Sequence, residues 1–149
     1  MQLKSYTDYS LRTLIYLALN PERLVTIAEV AHVFGLSRNH FMKVAQQLAN
    51  CGYVRSVPGK NGGMALARSP EAINVGDVVR RMESGFEVVE CLSPRKSSCC
   101  IQPACFLKGI FREAMEQFLA SLDRYTLGDV LINREVLARL TVSPDSYTR

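Results

Sequence analysis

The residues best suited to chemistry in this chain are cysteines. Four of the five fall in one string, Cys91-Leu-Ser-Pro-Arg-Lys-Ser-Ser-Cys99-Cys100-Ile-Gln-Pro-Ala-Cys105, and the fifth, Cys51, stands apart. An odd number excludes a disulfide framework fully paired within one chain. No Cys-x-x-Cys pair occurs, which argues against a thioredoxin-like redox site. It also removes the tight arm that structural zinc sites use. Wide spacing within one loop suits an iron–sulfur cluster, because the thiolates must reach around several irons. Non-ligating thiols are normally scattered and buried. That description fits Cys51, at the end of a helix, and fits the string poorly.

A second chemistry is suggested by where the charge lies. Between Val30 and Pro70 there is no Asp or Glu, while Arg38, Lys43, Arg55, Lys60 and Arg68 give these 41 residues a charge of +5. The whole chain carries +4, so the remainder, with 13 basic and 14 acidic residues, sums to −1. A localised positive stretch of this kind points to a polyanionic partner. Arg38, Asn39, His40, Lys43 and Gln46 lie on the polar side of an expected helix whose other side is Phe41, Val44, Ala45 and Leu48. Arg and Lys can meet guanine edges or phosphates, and Asn and Gln can pair with adenine in the major groove. Lys60, at the tip of an expected hairpin, is placed to reach the DNA backbone.

The elements that must position these groups are signalled by caps and turns. Ser5-x-x-Asp8 predicts a capping box opening a helix that runs through Leu11, Leu14, Ile15, Ala18 and Leu19 to Pro21. Thr26-x-x-Glu29 opens a second helix, ended by Gly35 as a left-handed C-cap. Ser37 caps a third, over 38–50. Two capped helices separated by Gly35-Leu36-Ser37 form a helix-turn-helix. Tyr53–Val57 and Met64–Ala67 read as strands around Pro58-Gly-Lys-Asn-Gly-Gly63, a wing. Asn74-x-x-Asp77 opens a fourth helix, over 75–84.

Residues 85–102 read as a loop carrying the cysteines. Pro103 fits the first turn of a long helix reaching about Arg124. Along it Phe111, Met115, Phe118, Leu122 and Tyr125 make a coiled-coil-like seam, widened by Phe106, Leu107, Ile110 and Ala114. Thr126-x-x-Asp129 opens a last short helix, and Ser143–Arg149 is expected to fray. The expected fold is mainly α with a small β-hairpin: a winged helix-turn-helix plus a long dimerisation helix. The expected divisions are 1–84 for DNA binding, 85–102 for the cysteine loop, 103–136 for dimerisation and a return helix, and 137–149 for the tail.

Composition narrows the function class. At 149 residues, 48% hydrophobic and 21% charged, the chain is long and apolar enough to bury a core, which excludes a wholly disordered or collagen-like polymer. No apolar run approaches the roughly 20 residues that span a bilayer. The first residues lack a signal core, so a cytoplasmic protein without a membrane partner is expected. With His32 and His40 the only histidines, and no phosphate loop, paired carboxylates or Ser/His/Asp arrangement, an enzyme is not expected.

The sequence resembles the winged-helix iron–sulfur transcriptional repressors, and within them the nitric oxide-sensing branch. The resemblance is carried by Thr7-Asp8-Tyr9-Ser10-Leu11-Arg12, Gly35-Leu36-Ser37-Arg38-Asn39-His40, Gly59-Lys60-Asn61-Gly62-Gly63 and Pro103-Ala104-Cys105-Phe106-Leu107-Lys108. It implies a homodimer on a palindromic double-stranded DNA operator, with nitric oxide as effector. It also implies one two-iron or four-iron cluster per subunit. Cys91, Cys99 and Cys105 match the three cysteine ligands, and Asp8, from the partner subunit, matches the fourth. Arg12 is a DNA contact by resemblance. Three features depart from the pattern: a longer gap between Cys91 and Cys99, an extra thiol at Cys100 that competes with Cys99 for the same iron, and Pro58 where the wing usually has a basic residue. A regulator of the same fold that senses oxidants or iron–sulfur status through its thiols, or by a different cluster response, is the alternative. An iron–sulfur electron carrier is the more distant one, because it has no use for an acid-free helix-turn-helix.

Overall fold

The computed structural model describes residues 2–93 and 98–142. Helices α1 (Ser5–Leu19), α2 (Ile27–Val33) and α3 (Arg38–Asn50) precede an antiparallel hairpin of β1 (Val54–Val57) and β2 (Gly63–Leu66). Then come α4 (Val75–Met82), α5 (Leu107–Leu122), α6 (Leu127–Val130) and α7 (Arg134–Leu140), with 3-10 turns at Pro70–Ala72, Glu90–Leu92 and Gln102–Ala104. The expected winged helix-turn-helix is present. In the wing, Val54 faces Leu66 and Val57 faces Gly63. A bridge not foreseen in the sequence joins Val25 to Met64, whose backbone groups exchange bonds of 2.9 and 2.8 Å. It fastens the chain ahead of α2 to the wing.

One core serves all of these elements. Leu14 and Leu17 of α1, Val30 of α2, Phe41, Val44 and Leu48 of α3, Tyr53, Met64, and Ile73 and Val78 beside and within α4 are all buried in it. The helical spacing on α3 is as expected, with every third or fourth residue inward. Leu127 of α6 enters the same core, so the segment after α5 returns to pack on the winged domain. Helix α7 continues past residue 136, to Leu140.

Several local expectations are corrected. The cap of α1 is Lys4, and neither Ser5 nor Asp8 makes the capping box. Glu83, just beyond α4, supplies the acceptor instead. Its carboxylate takes the Lys4 backbone N–H at 3.0 Å and the Thr7 hydroxyl at 2.8 Å. Helix α4 stops at Met82 and not at 84, because the Glu83 backbone turns extended (φ −82°, ψ 135°). Ser37 caps α3 by position, without a side-chain bond. Thr26 makes half of its box, accepting from the Glu29 N–H at 3.2 Å, while the Glu29 carboxylate goes to Arg23 and to the Tyr16 hydroxyl. Thr126 and Asp129 form both halves. Gly35 has φ +62°, the predicted left-handed C-cap. Pro103 lies in a 3-10 turn and not in the long helix, because Cys105 is extended (φ −82°, ψ 112°) and α5 begins only at Leu107.

The α5 seam divides. Phe111, Met115 and Phe118 are half-buried, lining a groove with residues 2–4 and 83–88. Phe106, Leu107 and Ile110, near the start of the helix, are exposed, as are Tyr125, Ile132, Val136 and Leu140. No α5 residue is fully buried. Among the described residues no helix is long and apolar enough to cross a membrane. The tail expected to fray, Ser143–Arg149, and part of the cysteine loop, Pro94–Ser97, lie outside the described residues.

The position of Leu48, with 0% exposure, predicts that Leu48→Ala lowers unfolding free energy by about 2–5 kcal/mol. Exposed Gln46→Ala should change it by only about 0.5 kcal/mol. Urea denaturation midpoints of the two variants check this, and equal shifts would contradict the assignment of faces.

Candidate nucleic-acid interface and cysteine loop

The helix α3 presents Arg38, Asn39, His40, Lys43 and Gln46 to solvent, as expected, and the wing presents Lys60. Pairing among them is sparse. The Gln46 side-chain amide donates to the Asn50 side-chain Oδ1 at 3.1 Å, a bond within the polar face that base edges can replace. Gly59, at the wing turn, has φ +108°, which places Lys60 at the tip at no steric cost. Met42 is exposed on the same face at 53%. It was not singled out in the sequence because an apolar residue on a polar face carries no charge signal, yet it is suited to a thymine methyl.

The basic residues of the acid-free segment are all exposed, but one of them is also tied to the protein. Arg68 lies over the Tyr53 ring, 5.3 Å from its centroid, and donates to the Cys51 carbonyl at 3.4 Å. Arg81 lies 6.0 Å from the same ring, and the Tyr53 hydroxyl donates to Asp77 at 2.5 Å. Burial, and then the bond to Asp77, push the Tyr53 phenol well above its usual value, so it acts as a fixed neutral donor. Together these groups root the wing on α4.

The start of α1 is directly behind the recognition helix. The Tyr6 hydroxyl donates to the Lys43 carbonyl at 2.8 Å. The Tyr9 ring stacks on Phe41 with centroids 5.5 Å apart and lies 6.4 Å from His40. Sequence reasoning missed both tyrosines; aromatic residues either side of Asp8 were the available signal. Asp8 itself is half-exposed and bound by Arg12, which donates to it at 3.1 Å through Nε and pairs at 2.8 Å through Nη2. Arg12 also sits over Phe34, 5.8 Å from the ring centroid. Arg12 is therefore held between Asp8 on α1 and the Phe34 ring.

The cysteine loop is closed at its neck. The Glu90 carboxylate accepts from the Ser98 N–H at 2.6 Å and from its hydroxyl at 3.0 Å. These two residues immediately precede Cys91 and Cys99, so the two cysteines leave the same neck. Overlapping turns then carry the chain onward: Gln102 N–H to the Cys99 carbonyl at 3.2 Å, and Cys105 N–H to the Gln102 carbonyl at 3.4 Å. Cys91 and Cys105 are half-buried, Cys99 and Cys100 exposed. Cys105 lines an open surface hollow with Phe106, Lys108 and Arg112 at the start of α5. Among the described residues no three His, Cys, Asp or Glu converge into a formed metal site, and Asp8 stays with Arg12. Thiols left at least partly accessible on one loop are nonetheless the soft donor type an iron–sulfur cluster takes. In chemistry the cysteines fit such a group, and the chain alone does not complete its cage. Glu90 and Ser98 were not anticipated, since an acid beside a cysteine has no distinctive spacing.

Comparison with known proteins identifies the family. A sequence profile described as "Rrf2: Iron-dependent Transcriptional regulator" matches residues 3–133. The chain is 45% identical over 141 residues to the HTH-type transcriptional regulator NsrR of Bacillus subtilis, covering 94% of this chain and 97% of that one. It is 44% identical to the protein of the same name from Shouchella clausii, covering 94% and 95%. Among solved structures it is similar to T. potens IscR, with TM-score 0.70, 26% identity and coverage of 89% and 88%. It is also similar to CymR of B. subtilis, described as the global cysteine regulator, with TM-score 0.64, 27% identity and coverage of 87% and 95%.

The interface separates two kinds of variant. Lys60→Ala should weaken binding to all duplexes alike and reduce the slope of log affinity against log salt by about 1. Asn39→Ala or Gln46→Ala should cost about 1–3 kcal/mol on a selected operator and little on random DNA. Fluorescence anisotropy at several salt concentrations distinguishes them; uniform loss from Asn39→Ala would remove it from base readout.

Proposed function

The chain belongs to the Rrf2 family of transcriptional regulators and is not an enzyme, and on that premise we propose that it is an iron–sulfur cluster-dependent, nitric oxide-responsive repressor acting as a homodimer on palindromic double-stranded DNA. The observation that supports the proposal is the pair of bonds from Ser98 to the Glu90 carboxylate, which joins the residues immediately before Cys91 and Cys99. Cys91, Cys99 and Cys105 would hold the cluster, with Asp8 of the partner subunit as fourth ligand. A bound cluster would supply iron able to react with nitric oxide, and the Asp8 carboxylate, a hard donor among soft thiolates, would be the ligand held least tightly.

The chain's own residues couple that centre to DNA. Arg12 keeps the Asp8 carboxylate oriented on the outer face of α1 and takes it back when it is not ligating. Tyr6 and Tyr9, on either side of Asp8, grip α3, so a pull on the start of α1 reaches the recognition helix. The exposed apolar residues of α5 and α7 provide the surface for a second copy. With Asp8 tied across the dimer, the two α3 helices keep the separation a twofold operator needs. Releasing the tie would relax that spacing, and a coupling of about 1–3 kcal/mol suffices for switching.

The exposed neighbour Cys100 favours a second reading, a thiol-oxidation sensor of the same fold. Anaerobic purification with iron and sulfide counts separates the two. The cluster reading predicts both elements in the wild type, loss of loading in Cys99→Ser, retention in Cys100→Ser, and altered nitric oxide reactivity in Asp8→Ala. Normal loading in Cys99→Ser with loss in Cys100→Ser would overturn the ligand choice. An Asp8→Ala protein with unchanged loading and reactivity would remove the cross-subunit tie. Absence of iron together with a reversible disulfide would favour the thiol sensor.

A further inference from the structure

The junction between α4 and the end of α5 is built more tightly than packing alone requires. Backbone pairing joins Ile73–Val75 to Tyr125–Leu127: Val75 N–H donates to the Tyr125 carbonyl at 2.9 Å and Leu127 N–H to the Ile73 carbonyl at 2.8 Å. Asn74 has two tasks. Its Oδ1 caps α4 by accepting from the Asp77 N–H at 3.0 Å, and its Nδ2 donates to the carbonyls of Asp123 at 2.7 Å and Tyr125 at 3.3 Å. Arg80 then grips the Asp123 carboxylate with both guanidinium nitrogens, at 2.5 and 2.6 Å. Gly76 makes room for this: a Cβ there would collide with Asp123 Oδ1.

Asp123 is in the wrong place for its own helix. It is the C-cap of α5, where the helix dipole disfavours a carboxylate. The bond from Arg80 compensates and holds its carboxyl below the usual range. Exposed ion pairs are ordinarily worth little in stability. A two-pronged guanidinium–carboxylate contact fixes direction as well as distance, and here it fixes the direction in which α5 leaves the winged domain.

We propose that Arg80 and Asp123, with Asn74 and Gly76, are positioning residues for operator recognition: they set the angle between the winged domain and the dimerisation helix, and thereby the half-site spacing the protein reads. This rests on the homodimeric DNA-binding reading above. Among the described residues, the side-chain bonds of Asn74, Arg80 and Asp123 run between α4 and the end of α5, apart from the α3 face and the cysteine loop. Their effect should therefore appear in spacing selectivity and leave contact with a single half-site unchanged.

The test uses the full-length protein and an operator recovered by selection from a randomised duplex pool. Affinity is measured for that duplex, for versions with one base pair inserted or removed between half-sites, and for a single half-site. Wild type should discriminate against altered spacing by about tenfold or more. Asp123→Ala and Gly76→Ala should reduce that discrimination to under about threefold, with half-site affinity and circular dichroism unchanged. The exchange Arg80→Asp with Asp123→Arg should restore part of it. Variants that fold and discriminate as wild type does would overturn the proposal alone. A wild type indifferent to spacing would overturn the dimeric reading, and the proposal with it.

Discussion

The burial of α1 is the constraint on which the rest depends. Leu14 and Leu17 anchor its inner face in the core, and Thr7, Ser10 and Thr13 are buried beside them. Small hydroxyl residues allow close approach, and each hydroxyl is satisfied: Ser10 by the Tyr6 carbonyl, Thr13 by the Tyr9 carbonyl and Thr7 by Glu83. A helix held this firmly moves as a unit. Its outer face carries Asp8 and Arg12, and its tyrosines hold α3. Whatever acts on Asp8 therefore acts on the recognition helix through one rigid element, with no need for a long relay.

Glu83 links this helix to the cysteine loop. Its carboxylate caps α1, and the chain leaving it runs through Gly85 to the neck at Glu90. Lys4 adds a further pair to the same acid at 3.6 Å. Thus the start of α1 and the start of the cysteine loop share one anchor. The other end of the winged domain is fixed separately, where α6 inserts Leu127 and Asn74 meets the end of α5.

Much of the fold was legible because local and tertiary demands agree. Gly35 marks the left-handed turn, the α3 stripe of Phe41, Val44, Ala45 and Leu48 marks the buried side, and Gly59 to Gly63 marks the wing. Caps were less faithful, because long-range partners outcompeted local ones. Ser5 and Asp8 have the spacing of a box, yet Glu83, 79 residues from Lys4, takes the helix end. Pro103 was compatible with a first helical turn, but the extended Cys105 breaks the chain there. In the candidate site, charge and periodicity revealed the α3 face. The neck at Glu90 and the grip of Tyr6 on Lys43 depend on contacts distant in sequence and left no periodic mark.

The most direct measurement is operator affinity of a single anaerobic preparation before and after its cluster is removed, at fixed salt and with the dimer confirmed by sedimentation. A dimer tied through Asp8 predicts roughly 5–150-fold weaker binding after removal, with a sedimentation coefficient still that of a dimer. Equal affinity in the two states would contradict a tie between the cysteine loop and the recognition helices.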